Sequence, residues 1–225
     1  MTGRYREAIE GWSGAPQSVG SHHFFQRDEE VGYFLECPPL QPVLASSALS
    51  AFGADQLVYM QNLKHVSGLI GLMVDGWHED VPGGVVRLGS DGRPKVDYAF
   101  SPRIVRAMKD AMVTMTRIHL AAGASTVITL HGKSVQVSNE NDLNRLEAAT
   151  YGPHEHVIFT AHQMGGAAMG ADPMRHPVDL QHRLRETQNI FVVDGSVCPT
   201  ALGVNPSETI YALAHRAVDF VAAAV

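Results

Sequence analysis

The sequence predicts a mixed fold, α+β with α/β character, in which short strands are interspersed with amphipathic helices. Three observations carry that expectation. An Asp91-Gly92 pair separates two short β-type segments, 84–88 and 94–99, and Asp-Gly is a strong hairpin signal. Residues 102–122 repeat apolar side chains at helical spacing behind a serine and a proline. Two further apolar β-type runs, 156–161 and 189–194, precede a last helical pattern that begins near Ser207.

In chain order, the first fifty residues are loop-rich. Gly, Pro and Ser punctuate 12–23, and the prolines of 37–42 (CPPLQP) stop regular structure by removing a donor and restricting the residue before them. Between them 31–36 (VGYFLE) reads as a short strand. Residues 54–66 suit a helix, with Leu57, Met60, Leu63 and Lys64 at helical spacing, and 69–75 is a continuous apolar run expected as a buried strand. In 102–122, Ser101 is placed to cap, Pro102 takes the first helical position and Gly123 closes the end. Its inner stripe is Ile104, Met108, Met112, Met115 and Ile118. A loop and short helix follow over 137–152. The last helix, capped by Ser207, runs to about 223 and turns Ile210, Leu213, Ala217 and Val221 inward.

Composition narrows the function classes. The chain carries 17 basic and 23 acidic side chains, a net charge of -6 with no Lys/Arg-rich run, which excludes a phosphate backbone as the main partner, so no nucleic acid is expected. The polar start has no apolar h-region and no run approaches the ~20 residues of a membrane span, so a cytoplasmic protein is expected. Cys37 and Cys198 fit no metal-ligand spacing and read as two buried free thiols.

Several familiar motifs are absent. No GxGxxG follows an early strand, no GxSxG occurs, and His131-Gly132-Lys133-Ser134 lacks the leading glycine of a phosphate loop because Val127 stands there. His154 and His156 alternate on a predicted strand, and His22-His23 adjoin in a loop. With no third ligand close in sequence, no metal site is expected.

The informative stretch begins at His162. It places a strand before a glycine-rich turn that carries His162, then a loop, a second strand ending in Asp194-Gly195, a further loop, and Asn205-Pro206 ahead of a helix. Gly165, Gly166 and Gly170 permit close backbone approach, and the helix N-terminus suits partial negative charge. His162 and Asn205 sit in the two turns that such a layout brings together.

This stretch resembles the C-terminal signature of the glucose-methanol-choline (GMC) flavin oxidoreductases. The matching parts are His162 to Gly170, Asp194 to Pro199, and Gly203 to Ala214. Weaker similarity continues upstream through 12–18, 32–36, the 91–101 turn and strand, and 119–124, which are similar to the family's substrate domain. The double glycine 165–166 and the presence of Asn205 lean toward the cholesterol-oxidase and long-chain-alcohol-oxidase branches.

The resemblance implies a substrate-binding domain over 1–152, an antiparallel sheet with helices, and over 153–225 the C-terminal piece of a Rossmann-like FAD-binding domain whose N-terminal GxGxxG unit is missing. It implies FAD as cofactor and hydride transfer from a hydrophobic primary or secondary alcohol. His162 would be the catalytic base and Asn205 would orient the alcohol oxygen. Asp194, Gly195, Asn205, Pro206 and Thr209 would contact the cofactor. The implied partners are the alcohol and a separate chain holding the FAD domain. The chain is then a fragment, a split subunit, or an inactive remnant that binds a ligand or a partner.

Overall fold

The computed structural model describes residues 1–15, 17–49, 51–81 and 83–224. In chain order its elements are β1 (Thr2–Arg4), β2 (Gly20–Ser21), β3 (Tyr33–Glu36), α1 (Pro42–Ala48), α2 (Ala54–Gln61), β4 (Val66–Gly68), β5 (Ile70–Met73), β6 (Gly84–Leu88), β7 (Pro94–Tyr98), α3 (Pro102–Ala121), β8 (Thr126–Ile128), β9 (Gln136–Val137), α4 (Leu143–Ala148) and α5 (Ser207–Ala222). These strands pair antiparallel, in a four-stranded sheet β4-β1-β8-β9, a three-stranded sheet β2-β3-β5 and the hairpin β6-β7. The chain forms two compact units: Met1–Met73 with Phe100–Phe159, and Val74–Ala99 with Thr160–Val225.

The first unit is organised by α3. Ser101 accepts a hydrogen bond from the Ile104 amide, Pro102 fills the first turn where its missing N–H is no loss, and Gly123 closes the end at φ +90°. Its buried residues, Ile104, Ala107, Met108, Ala111, Met112, Met115, Thr116 and His119, recur every three or four positions, so one stripe faces inward. That stripe packs with Tyr33 and Leu35 of β3 and Val127 of β8 into the main core. Each fully buried side chain of this size contributes about 1.5–3 kcal/mol relative to exposure. Ile118, expected on the stripe, is 41% exposed because His119, one residue on, takes the inward position. A smaller cluster joins Val137, Leu143 and Leu146 under α4, and another joins Ala45, Leu63 and Val66.

Three other expectations are corrected in this unit. The segment 54–66 is helical only through Gln61; a 3-10 turn, Leu63–His65, then leads directly into β4, and sheet pairing overrides the helical pattern. The proline-interrupted start holds a helix, α1, because Pro42 sits in its first turn, and Thr2–Arg4 is an unforeseen central strand. Cys37 is half-buried rather than buried, 3.8 Å from the Ser67 hydroxyl. Pro16, in the stretch expected to be irregular, lies outside the described residues.

In the second unit the hairpin forms as expected, with Gly92 at φ +75° and the Gly89 amide donating to the Arg93 carbonyl at 2.8 Å. Every residue of both strands is exposed. Val86 faces Val96 and Leu88 faces Pro94 on one side, while Arg87 and Lys95 pair with Asp97 on the other. The predicted strands 156–161, most of which belongs to the first unit, and 189–194 do not form. Each makes a single bridge, His131 with His156 and Arg183 with Phe191, and continues without ladder partners among the described residues. Side chains of β type make a strand only where a neighbouring strand supplies backbone partners. Phe159 and Ile190 are accordingly 67% and 48% exposed. His154 lies in a turn at φ +67°, off any strand.

Candidate active site

The site assembles in the second unit from the 161–170 turn, the 194–198 turn and the start of α5. Asp194 begins a 3-10 turn, Gly195–Val197, by accepting hydrogen bonds from the Ser196 amide at 2.8 Å and the Ser196 hydroxyl at 2.5 Å. The Ser196 hydroxyl and then its amide hold the Asp194 carboxyl below the ordinary carboxylate range, against a smaller opposing effect of burial. This turn anchors the segment that carries His162: the Ala167 amide donates to the Ser196 carbonyl at 3.1 Å, and the Met169 amide to the Val197 carbonyl at 2.9 Å.

Behind these turns lie Val178, Val197 and His182, all essentially inaccessible, with His182 Nδ1 3.1 Å from the Val192 carbonyl. Arg185 ties the adjoining loop by donating to the carbonyls of Gly170 at 2.7 Å and His176 at 2.9 Å. Burial raises the Cys198 thiol, which has the inert character of a core cysteine.

An open cleft of about 370 Å³ results, lined by Ala161, His162, Gln163, Asp194, Gly195, Ser196, Pro206 and Ile210. Gly195 is required by the approach of its neighbours. A Cβ there would stand 3.1 Å from the Gln163 carbonyl oxygen and 3.2 Å from Ile210 Cδ1, tighter than ordinary contact. The structure therefore brings His162, Asp194, Gly195 and Pro206 to one cleft. Asn205 and Thr209 are exposed and do not line it, although each adjoins a residue that does. Gln163, Ser196 and Ile210 are lining residues that sequence reasoning did not select. Ser196 lay within the quoted Asp194–Pro199 motif, and a neighbour of a motif aspartate was the available signal.

The start of α5 differs from expectation. Ser207 is the first helical residue, not the cap; Pro206 holds the cap position at φ -87°, ψ -7° and supplies no side-chain cap. Proline's fixed φ carries the chain into helical geometry one residue early. The first-turn amides thus open beside the cleft without a cap from the residue that precedes them, and helix N-terminal amides favour a negatively charged group. Ile210, Leu213, Ala217 and Val221 form the less exposed face of α5, as expected, while Tyr211 and Val218 on the other face are 71% and 57% exposed. Among the described residues no group of three or more His, Cys, Asp or Glu side chains is placed to hold a metal ion. No helix there is long and apolar enough to cross a membrane.

An imidazole on a glycine-bearing turn, set in a cleft beside a helix N-terminus, is an arrangement suited to proton transfer next to an anionic group. Residues 81–214, more than half of the chain, match the family described as GMC oxidoreductase. The chain belongs to that family. It is 29% identical over 220 residues to an uncharacterized GMC-type oxidoreductase of Mycobacterium tuberculosis, covering 97% of this chain and 33% of that protein. It is 52% identical over 67 residues to a cholesterol oxidase of Acinetobacter baumannii, covering 30% of this chain and 12% of that one. A long-chain-alcohol oxidase of Arabidopsis thaliana is 33% identical over 135 residues, covering 56% of this chain and 18% of that protein. In fold, the chain is similar to pyridoxine 4-oxidase from Mesorbium loti, with a TM-score of 0.55 and 18% identity over 97% of this chain and 40% of that chain. The chain thus spans about a third of the length of the M. tuberculosis relative.

Proposed function

We propose that this chain is the substrate-side and catalytic portion of an FAD-dependent oxidoreductase that oxidises a hydrophobic alcohol. The observation that carries the reading is the convergence of His162, Asp194, Gly195 and Pro206 on one cleft at the N-terminal end of α5. The relatives named cholesterol oxidase and long-chain-alcohol oxidase favour a hydrophobic primary or secondary alcohol as substrate.

The chain's residues suit the ring end of FAD. The amides of the first turn of α5 offer donors for its anionic edge, and the Asp194–Ser196 turn offers a carboxylate and a hydroxyl for a polyol chain. A glycine-rich strand–turn–helix for the pyrophosphate is absent from the sequence, so further protein, in the same polypeptide or another, would hold the rest of the cofactor. Tyr211 and Val218 on the outer face of α5 agree with cover by such protein.

Bound there, FAD would supply the two-electron acceptor. His162 would take the hydroxyl proton of the alcohol, because an imidazole nitrogen can accept a proton and a carbon releases hydride readily only as its oxygen loses that proton. Asn205 would donate to the same oxygen and fix its direction. The first turn of α5 would stabilise negative charge developing beside it.

The test is visible absorption of the purified chain, alone and with the protein encoded immediately upstream. Flavin that binds with the upstream half, together with alcohol turnover that falls roughly 10²–10⁴-fold in His162→Ala, is the expected result. Turnover within a few fold of wild type in that variant defeats the mechanism. No flavin in either preparation favours the second reading, a ligand- or partner-binding remnant.

A further inference from the structure

The loop between the 194–198 turn and α5 has a second attachment, which resides in the segment just after β5. The Trp77 indole Nε1 donates to the Ala201 carbonyl at 2.7 Å, and the Thr200 hydroxyl donates to the Gly76 carbonyl at 3.1 Å. The two bonds run in opposite directions between adjacent residue pairs 124 positions apart in sequence. Gly76 stands at φ +82°, and a Cβ on it would fall 2.9 Å from the Thr200 hydroxyl, so both its conformation and its contact demand glycine.

The geometry points to a clasp: Trp77 and Gly76 hold Thr200 and Ala201, and through them position Asn205. The loop is fixed on its near side by the backbone bonds of Ser196 and Val197 to the 167–169 segment, which follows directly from His162. It is fixed on its far side by Pro206, which lines the cleft at the start of α5. Between these anchors the segment 198–205 spans the gap, and the clasp grips it at Thr200 and Ala201. Gly203, at φ +72° and buried, sets the remaining turn toward Asn205. Trp77 is 45% exposed, and its indole N–H engages the loop. Trp77 is therefore a positioning residue that acts through the loop, and its consequence for turnover rests on the alcohol-oxidising reading above.

The experiment has two readouts. In the chain alone, backbone amide order parameters are measured for wild type, Trp77→Phe, Thr200→Val and Thr200→Ser. Trp77→Phe keeps an aromatic ring and removes the donor; Thr200→Val removes the hydroxyl at nearly constant shape, and Thr200→Ser retains it. Residues 200–205 should fall from about 0.85 to below about 0.6 in Trp77→Phe and Thr200→Val, stay near wild type in Thr200→Ser, and leave α5 unchanged. In the flavin-loaded complex, the first two variants should lower kcat about tenfold or more at unchanged flavin absorption and with KM within about twofold, the pattern of a lost orienting contact. Order parameters that stay at wild-type values in both Trp77→Phe and Thr200→Val overturn the clasp, and so does a loss equally deep in Thr200→Ser. A loosened loop with wild-type turnover overturns its role in positioning Asn205. A loosened loop in a complex whose wild type oxidises no alcohol leaves the clasp standing and removes the reaction assigned to it.

Discussion

Replacing His119 by phenylalanine should flatten the acid dependence of stability. His119 is 2% exposed on the inner face of α3, shares a 2.9 Å hydrogen bond through Nδ1 with the Tyr5 hydroxyl, and has no partner for Nε2 among the described residues. Burial, followed by the nearby Met1 ammonium, pushes its pKa down from 6.5 to about 4. A depressed histidine favours the neutral form in the folded state. Its contribution is complete above the unfolded value near 6.5 and is lost as pH falls toward 4, because the unfolded chain takes up the proton first. At about 1.36 kcal/mol per pH unit the loss is about 2 kcal/mol by pH 5 and about 3 kcal/mol by pH 4. Against a total stability of about 5–15 kcal/mol that is a large share. His131 and His156 add in the same direction, since burial lowers both and each faces the other at 5.2 Å between ring centroids. The assay is urea unfolding followed by far-ultraviolet circular dichroism at pH 7.5, 6 and 5. Wild type should lose about 2 kcal/mol more than His119→Phe across that range. Parallel losses in the two proteins would refute the assignment of the acid sensitivity to His119.

Two further outcomes follow from packing. Leu146, fully buried against Val137 and Leu143, should cost about 2–5 kcal/mol on truncation to alanine, read as a lower urea midpoint at unchanged slope. Gly195→Ala crowds the Gln163 carbonyl and Ile210 and should cost about 1–3 kcal/mol; a melting temperature equal to wild type would contradict the tight approach of the two turns and α5.

The elements legible in the sequence were those specified locally. Ser101, Pro102 and the methionine stripe mark α3 within its own twenty residues, and Asp91-Gly92 marks the hairpin within its own turn. What failed depended on partners distant in sequence. HVIFTA and NIFVVD have strand composition, yet only single bridges meet them, and pairing cannot be read from one segment. Conversely, Thr2–Arg4 carries little strand signal and becomes central because β4 and β8 flank it. At the site, the glycines and the His162, Asp194 and Pro206 positions were legible as a motif. The lining by Gln163 and Ile210, and the bonds of Trp77 to Ala201 and of Thr200 to Gly76, were not, because no local pattern encodes a contact between segments distant in sequence.

The β6-β7 hairpin carries a consequence for how the protein behaves when concentrated. Two strands with an apolar side of Val86, Leu88, Pro94 and Val96 open to water, and two outer edges with no neighbouring strand among the described residues, form a template onto which a second extended segment can add. The opposite side, with Arg87, Lys95 and Asp97, and the proline at the start of β7 act as local gatekeepers against such stacking. Crowded solution is where that balance is weakest, and the first intermolecular contact of this chain is expected at the hairpin rather than at α3 or the cleft.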